Sequence, residues 1–256
     1  MDIKTKVNAL LGRFGYRIDR LHPDTDPPGV ERTILGVDPF RDMRALIPAD
    51  RSPVIFDVGA NRGQTIANFR RSFGQSVIHA FEPGPEAFAE LESNAGVLPA
   101  VTLNNIALGS RSGEAQLFES AAGTPMNSLL RPRPEGWGGG AVKGTVPVPV
   151  STVDEYCREH GVDRIDILKT DTQGYDLEVI RGAAAMIEAC AVHLIYMEII
   201  FSDMYQGLPR MDEIYGFLAD RGFVLVSFYR FSYWDNRASW TDGLFVHPEY
   251  RSGDSG

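Results

Sequence analysis

The sequence predicts an α/β protein, a mostly parallel sheet covered by helices on both faces. Three observations carry this. From residue 52 onward, short apolar runs alternate with longer amphipathic ones. The first run, Val54-Ile55-Phe56-Asp57-Val58, passes through Gly59-Ala60-Asn61-Arg62-Gly63 into a helical stretch, which is a strand, a tight glycine turn and a helix. Finally, successive strands end in an acid or an amide.

The elements follow in order. In residues 1–20, Val7, Leu10, Leu11, Phe14 and Ile18 fall at helical spacing, with Lys4, Lys6, Arg13, Arg17 and Arg20 between them. This predicts a basic amphipathic helix packed on its own domain, with contact to an anionic membrane surface as the alternative. Residues 22–30 read as a linker and 39–47 as a short helix. Residues 1–50 are therefore an N-terminal helical extension or lid, and 51–250 the main domain. Strands are expected at 54–58, 76–81 and 101–104, with helices at 63–71 and 85–94 between them. A turn at 109–113 precedes an extra strand at 114–118. Residues 120–144 are rich in Gly and Pro, hold Trp137 and read as a covering loop. Val146, Val148 and Val150 alternate with prolines, which predicts an edge strand. Ser151 or Thr152 caps a helix to His160. Strands at 164–169, 192–198, 223–228 and 243–247, with helices from Asp176 and over 211–221, complete the sheet. Phe231-Ser232-Tyr233-Trp234-Asp235-Asn236 reads as an aromatic connection, suited either to a sugar face or to a structural hairpin.

Composition narrows the function classes. The chain has 256 residues and a net charge of −9, against a nucleic-acid footprint. Cys157 and Cys190 are isolated and read as buried free thiols in a reducing compartment. No run of apolar residues is long enough to span a bilayer and no signal core is evident, so the expected location is cytoplasmic. Motifs for zinc proteolysis, serine hydrolysis and P-loop nucleotide hydrolysis are missing from the sequence.

The glycine turn is D-x-G-A-N-x-G rather than the G-x-G-x-x-G of dinucleotide sites. Asp57 would repel a pyrophosphate; it suits a ligand with positive charge, such as the amino group or sulfonium of S-adenosylmethionine. Gly59 permits the turn, and Gly63 close packing of helix on strand. Glu82 ends the second strand nineteen residues past Gly63, where an acid can accept from a ribose diol. Asn104 and Asn105 follow the third strand, Asp171 follows the strand at 164–169, and Glu198 ends the one at 192–198. Asp171 can cap the next helix, act as a general base, or join Glu198 and Asp203 as oxygen ligands to Mg²⁺.

Together, Phe56-Asp57-Val58-Gly59-Ala60-Asn61-Arg62-Gly63, Phe81-Glu82-Pro83, Ala107-Leu108-Gly109, Lys169-Thr170-Asp171-Thr172-Gln173-Gly174-Tyr175-Asp176 and Arg181-Gly182-Ala183 resemble the FkbM-type methyltransferases. The resemblance runs from about residue 54 to 200. It implies a class I methyltransferase, Rossmann-like, seven-stranded sheet, with S-adenosyl-L-methionine as donor and a hydroxyl of a sugar, glycolipid or natural product as acceptor. It also implies a donor turn of Asp57, Gly59, Asn61 and Gly63, ribose contact at Glu82 and an Asn105 near the adenine, with Pro83 and Ala107 also in the cofactor site. The family pattern K-I-D-V-E-G-x-E is here K-T-D-T-Q-G-Y-D: Asp171 matches, and Gln173 replaces the second acid.

The expected function is O-methyl transfer to a sugar, glycan or glycosylated metabolite, with Asp171 and then Glu198 as base or metal ligand. An N-acceptor, a nicotinamide-dependent oxidoreductase and a non-catalytic binder are the alternatives. A homo-oligomer is compatible with all of them.

Overall fold

The computed structural model describes residues 35–135 and 141–251. The expected basic helix of residues 1–20, its membrane contact, the 22–30 linker and Trp137 lie outside these residues. No described helix is long and apolar enough to cross a membrane.

The first described helix, α1 (Pro39–Leu46), starts where Asp38 accepts from the amides of Phe40 and Arg41. Seven strands then build the main sheet: β1 (Val54–Val58), β2 (Val77–Phe81), β3 (Val101–Asn104), β7 (Ile165–Thr170), β8 (Val192–Ile200), β9 (Val224–Trp234) and β10 (Arg237–Val246), in the order β3-β2-β1-β7-β8-β10-β9. All pairs are parallel except those of β10, which runs antiparallel to β8 and β9. The intervening helices are α2 (Gln64–Ser72), α3 (Pro85–Ala95), α4 (Val153–His160), α5 (Asp176–Arg181), α6 (Ala184–Glu188) and α7 (Met211–Ala219). Thr152 caps α4, its hydroxyl accepting from the Glu155 amide at 3.0 Å. This is the class I methyltransferase α/β architecture: a mixed seven-stranded sheet between two helical layers.

Adjacent residues of one strand enter opposite cores. Ile55, Ile167 and Leu194 join one apolar cluster, and Phe56, Leu168 and Ile195 the other. Side chains alternate across a sheet, so a sheet buried on both faces needs unbroken apolar runs.

Two expectations need correction. The Val-Pro repeat belongs to β6 (Val142–Ser151), the middle strand of a smaller sheet, β4-β6-β5, with β4 at Ala107–Leu108 and β5 at Gly113–Ser120. The prolines are tolerated because β4 pairs only with Val150 and Ser151, leaving Pro147 and Pro149 flanked by β5 alone. The aromatic segment forms the structural hairpin, one of its two readings, with strand where a connection was expected. Phe231–Trp234 continue β9, and only Asp235 and Asn236, at φ of 49° and 59°, form the hairpin turn. Of the cysteines, Cys157 is buried as expected and Cys190 only half-buried.

At the N-terminal edge of the sheet, buried Asp166 on β7 accepts from the Val54 amide and the Tyr250 hydroxyl, both at 2.8 Å, with Arg51 and Arg164 beside it. At the opposite edge the strand order reverses between β1 and β7, the place where open α/β sheets form a crevice. There Asp57 and Lys169 are register partners, both buried, with Nζ 2.8 Å from Oδ1. Burial alone would lower the Lys169 ammonium; Asp57, Asp171 and Asp176 outweigh it and the net shift is upward. Lys169→Met leaves Asp57 buried without a partner and is expected to cost about 3–5 kcal/mol in urea unfolding. Adding Asp57→Leu should recover most of that loss. A loss in the single variant no larger than in the double would remove the pair from the stability account.

Candidate active site

The first wall of the site is the turn after β1. Gly59 sits at φ +76°, and a Cβ there would lie 2.0 Å from the Asp171 carbonyl oxygen, so the turns after β1 and β7 touch backbone to backbone. The amides of Gly59 and Ala60 both donate to the Phe81 carbonyl at 3.0 Å, tying the turn to the end of β2. Asn61 takes φ 47°, which turns its amide toward Glu82 Oε2 at 2.9 Å. The Gly84 amide donates to Oε1 at 2.8 Å. Burial raises the Glu82 carboxyl, and these two amides draw it part of the way back. Each oxygen keeps a free acceptor site, so the carboxylate is held in place with capacity for a diol.

One cavity gathers Gly59, Asn61, Glu82, Pro83, Ala107, Asp171 and Glu198. Three residues expected at the ligand do not line it. Asp57 is fully buried, and the positive charge it meets is Lys169 of its own chain. Gly63 lies behind the turn; a Cβ there would meet Leu91 of α3 at 3.1 Å, so its small size serves helix–helix packing instead of the helix–strand packing expected. Asn105 donates to the carbonyls of Glu82 and Pro83 at 2.8 and 3.2 Å, bracing the Glu82 loop from outside.

The cavity has an apolar end and an acidic end. Phe81, Ile106, Leu108, Leu117 and Leu129 form the apolar end. Of these, Leu117 comes from the smaller sheet and Leu129 from the stretch read as a covering loop, which contributes Pro125, Asn127, Ser128 and Leu129 to the wall. That stretch is fastened by the Ser128 hydroxyl, which donates to the Gln173 carbonyl at 2.8 Å. Such contacts cross the sequence at long range and leave no local pattern to read.

At the acidic end, Asp171 follows β7 and Glu198 lies on the adjacent β8. Gln173, at φ 55°, stands between them. Its Nε2 donates to Asp171 Oδ1 at 3.3 Å and to Glu198 Oε2 at 3.1 Å. Asp176 stabilises the loop, accepting from the amides of Thr172 and Gly174, and burial pushes its carboxyl up to about 6. Asp242 on β10 is the register partner of Glu198; burial pushes it up to about 6 while the Tyr196 hydroxyl holds it at 2.9 Å. Burial, then Asp171, Asp176 and Asp242, raise Glu198 well above the ordinary carboxylate range.

The expected Mg²⁺ set does not fit this geometry. Asp203 turns to Arg133 at 2.7 Å, and an amide nitrogen occupies the space between Asp171 and Glu198. Among the described residues, no group of three His, Cys, Asp or Glu is arranged to hold a metal ion. The S-adenosylmethionine expectation fits better. The turn at Gly59 has no room for a side chain, the Glu82 carboxylate is fixed with acceptors free, and an apolar slot adjoins them.

Residues 57–225 match the Methyltransferase FkbM domain. The chain is 28% identical over 170 residues to 2-O-methyltransferase NoeI of Sinorhizobium fredii, covering 60% of this chain and 66% of that one. It is 26% identical over 178 residues to hexuronic acid methyltransferase AglP of Haloferax volcanii, covering 62% and 64% respectively. The matched stretch therefore spans just under two thirds of each curated relative. Among solved structures, Methyltransferase FkbM of Methylobacillus flagellatus aligns at a TM-score of 0.47 and 13% identity, over 78% of this chain and 45% of its own. With the family's domain matched from the end of β1 into β9, this chain belongs to the FkbM methyltransferase family, whose methyl donor is S-adenosylmethionine.

Proposed function

We propose that this chain is an O-methyltransferase acting on a hydroxyl of a sugar, glycan, glycolipid or glycosylated metabolite. The observation that carries the reading is one cavity lined both by Glu82, fixed as a ribose-type acceptor, and by the carboxylates of Asp171 and Glu198. The acceptor class rests on the sugar-acting names of NoeI and AglP. In this reading residues 51–250 are the transferase domain and residues 1–50 an N-terminal extension. No role is assigned to Mg²⁺.

Bound S-adenosylmethionine supplies an electrophilic methyl group on a sulfonium. Glu82 would hold the ribose hydroxyls, and Pro83, Ile106, Leu108 and Leu117 would receive the adenine. Asn61 and Gly59 would bound the amino-acid end. A sugar hydroxyl is a weak acid, so its proton must move to a base as the C–O bond forms. Asp171 and Glu198 are within one amide of each other at the cavity's acidic end and serve that purpose. Much of the barrier reduction would come from alignment of hydroxyl, methyl and sulfur, which depends on the rigid contact between Gly59 and Asp171.

Calorimetric titration with S-adenosylmethionine and its demethylated product should show binding of both to the wild-type protein. Glu82→Ala should weaken both by about tenfold or more, since it removes two charge-assisted hydrogen bonds. Unchanged affinity in that variant would place the ribose elsewhere.

Asp171→Asn should leave donor affinity within a fewfold and lower labelled-methyl transfer to a sugar acceptor by about 10²–10⁴-fold. Full transfer by this variant would remove Asp171 from proton handling and favour a nitrogen acceptor.

The rate should also depend on pH in one direction. A base acts deprotonated, and Glu198 holds its proton to a pH well above the usual carboxylate range. Turnover should therefore fall on acidification well before an ordinary carboxylate titrates. A rate flat down to pH 5 would rule Glu198 out.

A further inference from the structure

We propose that Gln173, oriented by Tyr205, is the positioning residue that holds Asp171 and Glu198 together as a metal-free proton-accepting pair. The inference rests on the proposed function for its purpose and on geometry for its content.

Two carboxylates at the edge of a protein interior repel each other, and something must bridge them. A divalent cation is the usual bridge. Here the bridge is a neutral amide with two N–H bonds, one for each carboxylate, at 3.3 Å to Asp171 and 3.1 Å to Glu198. An amide can do this only if its nitrogen, and not its oxygen, faces the acids. The buried Tyr205 hydroxyl favours that choice: it lies 3.0 Å from Gln173 Oε1, the shorter of the two acceptors its one proton can reach, the other being the Met126 carbonyl at 3.3 Å. The backbone is fixed as well, at φ 55° and with the Gln173 carbonyl accepting from Ser128. The nearest cation is Lys169, 3.9 Å from Asp171 Oδ2 and already committed to Asp57.

Every charged neighbour of Glu198 bears on the test. Lys169 faces it from β7, Asp171 from the following loop, Asp176 from the start of α5 and Asp242 from β10, while Tyr205 lies beyond β8. Of these carboxylates, Asp171 is the one that shares the Gln173 amide with it.

The experiment is a ¹³C side-chain carboxyl NMR titration of the full chain, with Glu198 assigned by Glu198→Gln. Donation by the amide favours the charged carboxylate, so Gln173→Leu should move the Glu198 midpoint upward by about one unit. Tyr205→Phe frees the amide to rotate and should move it in the same direction by less. Millimolar Mg²⁺ should leave the wild-type midpoint in place. If Gln173→Leu does not fold, Tyr205→Phe decides alone. An unmoved midpoint in every folded variant, or a downward displacement of the wild-type midpoint by Mg²⁺, overturns the proposal. Failure of the wild type to bind the demethylated donor in calorimetry would instead overturn the methyltransferase reading and leave the NMR result standing.

Discussion

The buried pair of Asp57 and Lys169 is the interaction on which the rest of the structure depends. It sits where strand order reverses, between the two halves of the sheet. Neither charge reaches solvent, so each requires the other, and strands β1 and β7 must meet in one register to bring them together. Lys169 also donates to the Gly59 carbonyl at 3.0 Å, carrying the same constraint into the turn after β1. One residue pair thereby positions both sides of the cavity, since the turn after β1 rests directly on the backbone of Asp171.

The charged side chains that line the cavity are all carboxylates. Glu82, Asp171 and Glu198 line the cavity, Asp242 and Asp176 lie behind it, and Lys169 is neutralised by Asp57. Such a cavity discriminates against anionic ligands and favours one carrying positive charge. The sequence argument attached that preference to Asp57; in the structure Asp57 faces Lys169, and the carboxylates that line the cavity are Glu82, Asp171 and Glu198.

Much of the fold was legible because its signals are local. Unbroken apolar runs mark strands buried on both faces, and the glycine turn and Thr152 cap declare themselves within a few residues. The strand-end acids were legible for the same reason, since a parallel sheet delivers every strand end to one rim. The partners of those acids were not. Lys169 meets Asp57 across 112 positions of sequence, and Tyr205 meets Gln173 across 32, and no periodicity marks either. The misread Val-Pro strand shows a related limit. Proline reports that one side of a strand is unpaired, not that the strand is the outermost in its sheet.

Asp166 has a topological consequence. It accepts from the amide at the start of β1 and from the hydroxyl of Tyr250, just past β10, so the chain's path into the sheet and its path out converge on one buried carboxylate. The sheet is in effect a closed circuit cut at that point. A circularly permuted chain, with residue 251 joined by a short linker to residue 51 and opened at a surface turn such as Asp235-Asn236, would keep every strand pairing and both walls of the cavity.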